Sequence, residues 1–434
     1  MNRCVEQKLK ELAPALAPRR RDIHRHPESG WTEFRTAAMA IRHMEALGYA
    51  VTMGEKAVKR DRMMGVPAPD VLKKHQERAI AQGADPGLVA RMEAGLTGFW
   101  ADMDFGGAGP SLALRFDMDS YDVSEATDAK HRPAREGFAS VNPGAMHACG
   151  HDGHVAVALA LAEVVASCRD TLRGKIRFIF QPAEEGVRGA APMAEAGAVE
   201  GIDRILGFHI GFQANQPGIV ICGTQNFLAT SKADITFTGV TAHAGAAPEE
   251  GRNALLAACT ATLNMHAIPR SGKGDTRITV GRLVGGQGRN VIPPNATLYL
   301  ETRGVTSELD EYMFGEVQRI GKAAADMWGC GYDMVLTGGT KSGESSPEMA
   351  EIVAEGAREM GCFDTILTRK NFGASEDYSH FMTLVQQHGG IGSYVQVGTT
   401  IAAGHHNNRF DFDEDVLPRA LELLTRAVWR IGGK

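Results

Sequence analysis

Residues 155–167 read VAVALALAEVVAS, apolar at nearly every position, which predicts a helix buried on all sides. KIRFIF at 175–180 alternates charged and apolar residues among β-formers and predicts a strand. Two more short apolar runs, ILGFHIG at 205–211 and SYVQVG at 393–398, read as strands too. From Met1 to about Phe227 such strands alternate with helical stretches, among them a charged one at Val71–Gln82, so this part predicts an α/β domain. The pattern then changes. Between about Leu228 and Val335, short strands at Ala233–Phe237, Thr276–Val280 and Ala296–Thr302 flank two helices, Ala254–His266 and Ser307–Trp328. That order suits a small α+β domain of ferredoxin-like type. From about Leu336 the α/β pattern resumes, which gives one domain of residues 1–227 and 336–434 interrupted by another of residues 228–335.

The strand ends carry the chemistry. Cys149 and His151 stand one residue apart in a Gly-flanked loop, MHACGHDGH, where a thiolate and an imidazole can project toward one point. Glu184 and Glu185, in QPAEEG, lie just past the KIRFIF strand, and Pro182 stiffens the turn. Adjacent residues after a strand point in different directions, so one carboxylate can hold a metal while its neighbour faces a water. His209 sits near the end of a third strand, and the pair His405-His406 follows a fourth. In an open α/β sheet, ligands gather outside the carboxyl ends of the strands. Because the His405-His406 pair belongs with the others, residues 336–434 must rejoin the first domain. Mixed Cys, His and Glu ligands suit zinc or manganese better than calcium or magnesium.

Composition narrows the classes. Of 434 residues, 43% are hydrophobic and 23% charged, as in a soluble globular protein with room for two or three domains. A net charge of -6 with scattered Lys and Arg leaves no basic footprint for nucleic acid. No apolar run approaches the roughly 20 residues that span a bilayer, and the opening MNRCVEQKLKELAP lacks a signal-peptide core. A cytoplasmic protein with no membrane contact is expected. The seven cysteines are odd in number and widely scattered, which argues against a disulfide framework; apart from Cys149 they read as small buried apolar residues.

With RRDIHRHPE (20–28), LRFDMD (114–119), GVTAHAGAAP (239–248), NVIP (290–293), SEDY (375–378) and HNNRF (406–410), these motifs resemble the dinuclear metallopeptidase and aminoacylase superfamily nearly end to end. The branch is that of the amidohydrolases which include hippurate and auxin-conjugate hydrolases. Within it the chain most resembles hydrolases of p-aminobenzoyl-glutamate, on an insert at about 53–96, HRPAREGFAS (131–140) and AAGHHN (402–407). The resemblance implies a zinc-peptidase-like catalytic domain, with a mixed sheet flanked by helices, and a lid that also dimerises. It implies that Cys149, His151, Glu185, His209 and His406 hold two divalent cations, manganese or zinc, with Glu184 as general base. His406 is preferred to His405 because the family's ligand stands four residues before a Phe, here Phe410. His243 matches a histidine that relatives supply from the partner subunit's lid to the tetrahedral oxyanion. Asn290 and Arg303 match contacts to a substrate carboxylate, for which an Arg fork is suited.

The chain also departs from the pattern. LRFDMD normally runs on into a Leu-Pro turn, but here Ser120-Tyr121-Asp122 follows, and Asn407-Asn408 replaces the usual residue and Pro after the last histidine. Asp119 is open between orienting a ligand histidine and being an ordinary strand-end aspartate; Asp152 and Glu376 are similar, and none is expected to be a direct ligand.

The expected activity is hydrolysis of p-aminobenzoyl-glutamate or a similar N-acyl amino acid. Hippurate-like or indole-acyl amides are the alternatives. The assembly is expected to be a homodimer or a heteromer with a homologous second chain, and in the latter case this chain could be inactive alone. A non-catalytic binding protein with a structural metal is a different class, and the retained Glu184 argues against it, because a closed structural site has no use for a free base.

Overall fold

The computed structural model describes residues 2–434, which divide into two compact units. The first unit comprises residues 2–225, 344–372 and 377–434, and the second residues 226–343 and 373–376. In chain order the first unit begins with α1 (Arg3–Arg25), α2 (Phe34–Ala46), β1 (Ala50–Met53), α3 (Pro69–Ala81), α4 (Pro86–Arg91), β2 (Phe99–Gly106) and β3 (Ser111–Asp117). It continues through α5 (Arg132–Glu136), α6 (His151–Ser167), β4 (Gly174–Gln181), α7 (Ala190–Glu195), β5 (Arg204–Ile210), β6 (Ile219–Ile221) and β7 (Thr224–Gln225). The second unit supplies β8 (Ala229–Thr238), α8 (Ala254–His266), β9 (Thr276–Gly285), β10 (Asn295–Gly304), α9 (Ser307–Trp328) and β11 (Gly331–Thr340). The chain returns with α10 (Pro347–Met360), β12 (Thr365–Leu367), β13 (Lys370–Asn371), α11 (Tyr378–Gln387), β14 (Ile391–Val397) and α12 (Val416–Gly432).

Eight strands of the first unit form one sheet in the order β1-β2-β4-β3-β5-β14-β6-β12. The central four, β4, β3, β5 and β14, are mutually parallel, while β2 joins β4 and β6 joins β14 antiparallel, so the sheet is mixed as expected. Parallel strands place their carboxyl ends on one edge: Asp117 pairs with Gln181, and His209 with Gln396. The sheet interior is aromatic, with Phe99 stacked on Phe180 at 4.6 Å and Phe116 between Phe178 and Phe208. Against it lies α6, in which only Glu163, Ala166 and Ser167 escape full burial. Its apolar residues on every side explain that, since a helix without a polar face is stable only when enclosed.

The second unit is a four-stranded antiparallel sheet ordered β11-β8-β10-β9, with α8 and α9 packing Ala257, Ala261, Met313 and Val317 onto Ile235, Phe237 and Leu298. Its βαββαβ order is ferredoxin-like. The unit runs past residue 335 to Gly343, because β11 pairs with β8 along its length. That strand escapes the hydrophobic pattern for a physical reason: it is an edge, and its apolar Val335 and Leu336 are exposed.

Two sequence expectations need correction. His151 is the first residue of α6 rather than part of a loop, and Gly150 before it takes a left-handed φ of 97° that a side chain would resist. Cys4 and Cys168 form a disulfide, with Cα atoms 6.1 Å apart across a sequence separation of 164. Scattered spacing hides such a pair, because only the packing of α1 along α6 brings the two together. Of the remaining cysteines outside the motif, Cys222 is buried as expected, while Cys259 and Cys330 are partly exposed and Cys362 is exposed. Among the described residues no helix is long and apolar enough to cross a membrane.

Candidate metal centre

The turn after β4 is held from beneath by a buried polar network. Arg115 on β3 is fully buried and donates from Nε to Gln181 Oε1 at 2.7 Å, from Nη1 to Asp117 at 2.5 Å and from Nη2 to Asp377 at 3.3 Å. Asp377 in turn accepts the backbone N–H groups of Gly189 and Ala190 at 3.0 and 2.9 Å, and Glu33 accepts that of Ala183 at 2.8 Å. These contacts fix a loop in which Ala183 and Val187 take positive φ, 49° and 59°, a conformation non-glycine residues keep only when their surroundings impose it. The segment at 53–96 is tied to the same loop. Arg188 bridges the carbonyls of Glu185 and Gly65, at 3.0 and 3.1 Å, and Arg62 pairs with Glu195 at 2.7 Å.

Above this base the structure brings together Cys149, His151, Glu184, Glu185, His209 and His406. Cys149, His151 and His209 offer ligand atoms within 4.8 Å of one another, as do Cys149, Glu185 and His406, and also His151, Glu184 and Glu185. Cys149 belongs to two of these groups. Its sulfur lies 3.5 Å from His209 Nε2, while His406 Nε2 lies 3.1 Å from Glu185 Oε1. His151 donates from Nδ1 to the Asp119 carbonyl at 2.9 Å, and His209 from Nδ1 to the Ile210 carbonyl at 2.8 Å. A carbonyl only accepts, so in each neutral ring the lone pair is on Nε2. His151 Nε2 is buried without a hydrogen-bond partner. Two imidazoles fixed through Nδ1 and presenting Nε2, beside a thiol and two carboxylates, fit a metal centre.

Of the tandem histidines, His406 reaches Cys149 and Glu185, whereas His405 packs against His209, Phe212 and Phe410. Burial pushes His405 down to about 4. Burial also opposes charge on His406, but Cys149 and Glu185 outweigh it and push that group up to about 10. The Cys149 thiol is pushed up by burial and then by Glu185, and His209 is held well below its ordinary value by burial and then His154.

Among the neighbours, His154 escaped the sequence reading, while Asp119 and Asp152 were named there with their roles open. His154 lies beside Asp117 and His151, but both its nitrogens are in use: Nδ1 donates to Asp117 at 2.6 Å and Nε2 accepts the Ile210 N–H at 2.9 Å. It is a strut between β3 and β5. Asp119 accepts the Glu185 N–H at 2.9 Å as well as supplying the carbonyl to His151, so of its two open roles the orienting one matches its contacts. Asp152 is paired with Arg20 and His24 at 2.7 and 2.8 Å, a packing role. The only local signal for these residues was their place in the LRFDMD and MHACGHDGH motifs.

His243, Asn290 and Arg303 belong to the second unit, as does Glu376. His243 is exposed and its Nδ1 accepts the N–H groups of Gly245 and Ala246, both at 3.1 Å, so Nε2 carries the proton and is a donor. Asn290 is adjacent, its carbonyl accepting the Ala244 N–H at 3.0 Å. Arg303 is not brought to them. It pairs with Glu301 at 2.7 Å near the far end of β10, roughly 25 Å from Asn295 at the usual rise of a strand.

The sequence matches Peptidase family M20/M25/M40 over residues 113–430. It is 46% identical to one of the subunits of the p-aminobenzoyl-glutamate hydrolase of Escherichia coli over 423 residues, 97% of each chain. It is 45% identical to indole-3-acetyl-aspartic acid hydrolase of Enterobacter agglomerans over 421 residues, 97% of this chain and 96% of the relative. Among solved structures, an aminobenzoyl-glutamate utilization protein from Klebsiella pneumoniae superposes with a TM-score of 0.84 at 37% identity, over 98% of this chain and 97% of that one. A match to the family across most of the chain, with relatives aligned along nearly their whole lengths, places this protein among the metal-dependent hydrolases of peptidase family M20/M25/M40.

Proposed function

We propose that the chain hydrolyses the amide bond of p-aminobenzoyl-glutamate or a similar N-acyl amino acid whose amino-acid half is acidic. Cys149, His151, Glu185, His209 and His406 would hold two divalent cations, manganese or zinc. The observation that carries this reading is the pair of ligand groups sharing Cys149, with Glu184 beside them as a further carboxylate 4.0 Å from His151 Nε2. When bound, the cations supply the Lewis acidity that makes a water nucleophilic near neutral pH and polarises an amide carbonyl. Glu184 takes the proton of the attacking water and returns it to the departing nitrogen. His243 offers its Nε2–H to the oxyanion. Asn290 and Arg303 would bind a carboxylate of the substrate. Relatives named for glutamate and aspartate conjugates at 46% and 45% identity support an acidic amino-acid half and leave the acyl group open between aminobenzoyl and indole-acetyl.

The test is a panel of amides offered to the purified, metal-loaded chain: p-aminobenzoyl-glutamate, indole-acetyl-aspartate and hippurate. Release from the first two in preference to hippurate is expected. Turnover of all three alike would remove the acidic half from the specificity. No turnover with both ions bound would point to a required second polypeptide, as the name of the Escherichia coli relative suggests.

Metal binding should also depend on pH. Since His406 keeps its proton up to about 10 in the metal-free protein, a cation must displace that proton at any lower pH. Apparent affinity, read by chelator competition between pH 6 and 9, should therefore rise with pH, on the order of tenfold per unit for each proton displaced. A flat profile would count against the reading of Cys149 and His406 as ligands, since both hold protons that a cation must displace.

A further inference from the structure

The ring of Tyr121 stacks face to face on the imidazole of His406, with centroids 4.2 Å apart and planes 7° from parallel. His406 needs support. Its side chain is 45% exposed, its φ is 64°, and the residues that follow are Asn407-Asn408 rather than a stiffening proline. An exposed imidazole on such a loop has several rotamers open to it, and only some keep Nε2 on Glu185.

Both members of the stack are anchored to the segment that carries Cys149. Tyr121 and Met146 exchange a pair of backbone hydrogen bonds, each 3.0 Å, and the His406 N–H donates to the Ala148 carbonyl at 2.8 Å. The phenol ring, the imidazole and the Cys149 thiol are therefore built on one short piece of backbone. We propose that Tyr121 is a positioning residue, whose ring fixes the plane of His406 so that Nε2 meets Cys149 and Glu185 at one point. It stands in the Ser120-Tyr121-Asp122 stretch, where the chain departs from the pattern it otherwise resembles. An aromatic face here offsets the rigidity that Asn407-Asn408 gives up. This rests on the reading of Cys149, Glu185 and His406 as ligands.

The experiment is a titration of the metal-free protein with cobalt(II), followed by visible absorption and by chelator competition, on the unaltered chain and on Tyr121→Phe, Tyr121→Leu and His406→Ala. The unaltered chain and Tyr121→Phe should bind two equivalents with the same spectrum. Tyr121→Leu should bind one equivalent about 10- to 100-fold more weakly, the usual effect of losing a residue that orients a ligand. The weakened equivalent should be the one His406→Ala loses. The thermal midpoint of the metal-free protein should be alike in Phe and Leu variants, and Tyr121→Met serves as a second non-aromatic variant should Leu not fold. Cobalt binding by Tyr121→Leu that matches the unaltered chain would overturn the proposal alone, as would equal weakening in Tyr121→Phe. Failure of the unaltered chain to take up two ions would instead overturn the ligand reading beneath it.

Discussion

Glu184→Gln is expected to lower kcat by about 10²- to 10⁴-fold, the usual contribution of a positioned general base, while KM and the content of two bound metals stay as they were. Glutamine keeps the shape of the side chain but cannot accept the proton that the attacking water must lose. The two carboxylates of QPAEEG should respond differently. Glu185 stands with Cys149 and His406 as well as with His151, whereas Glu184 stands only with His151 and Glu185 among these residues. Glu185→Gln should therefore cost a metal ion, and Glu184→Gln should not. Steady-state kinetics together with metal analysis of both variants separates the roles; wild-type kcat in Glu184→Gln would assign the proton transfer to another group.

The largest effect on stability is expected from Arg115→Met. The guanidinium is fully buried and pairs with Asp117 and Asp377 at once, so its removal takes one buried cation from two enclosed carboxylates. Breaking a buried pair in this way costs about 3–5 kcal/mol. Burial works against the ionised form of Asp117, yet His151, Arg115 and His154 together hold its carboxyl well below the usual carboxylate range. A depressed carboxylate stabilises the fold above its ordinary pKa and loses that contribution as pH falls through the folded value. The penalty of Arg115→Met should thus be full at neutral pH and shrink toward acid, where Asp117 takes up a proton. Urea unfolding at pH 7 and at pH 4 checks both the size and the sign; equal losses at the two values would show that charge is not the cause.

Much of this was legible in the chain, and the reason is local. The helices Ala254–His266 and Ser307–Trp328 have the bounds expected from the sequence. The gathering of Cys149, Glu184, Glu185, His209 and His406 was legible too, since parallel strands bring their ends to one edge wherever they fall in sequence. What stayed hidden depends on contacts between distant segments. Nothing near Arg115 announces Asp377, and nothing near Tyr121 announces His406. The Cys4–Cys168 bond and the edge strand β11 were missed for related reasons: pairing across 164 residues leaves no spacing to read, and an edge leaves its apolar residues uncovered.

The sulfur of Cys149 belongs to both ligand groups, so the two share a single point of failure. Oxidation of that one atom beyond the sulfenic stage, which is irreversible for most proteins, would disarm both positions in one event rather than in sequence. On the reading of these residues as ligands, any change at Cys149 would be felt at both positions together.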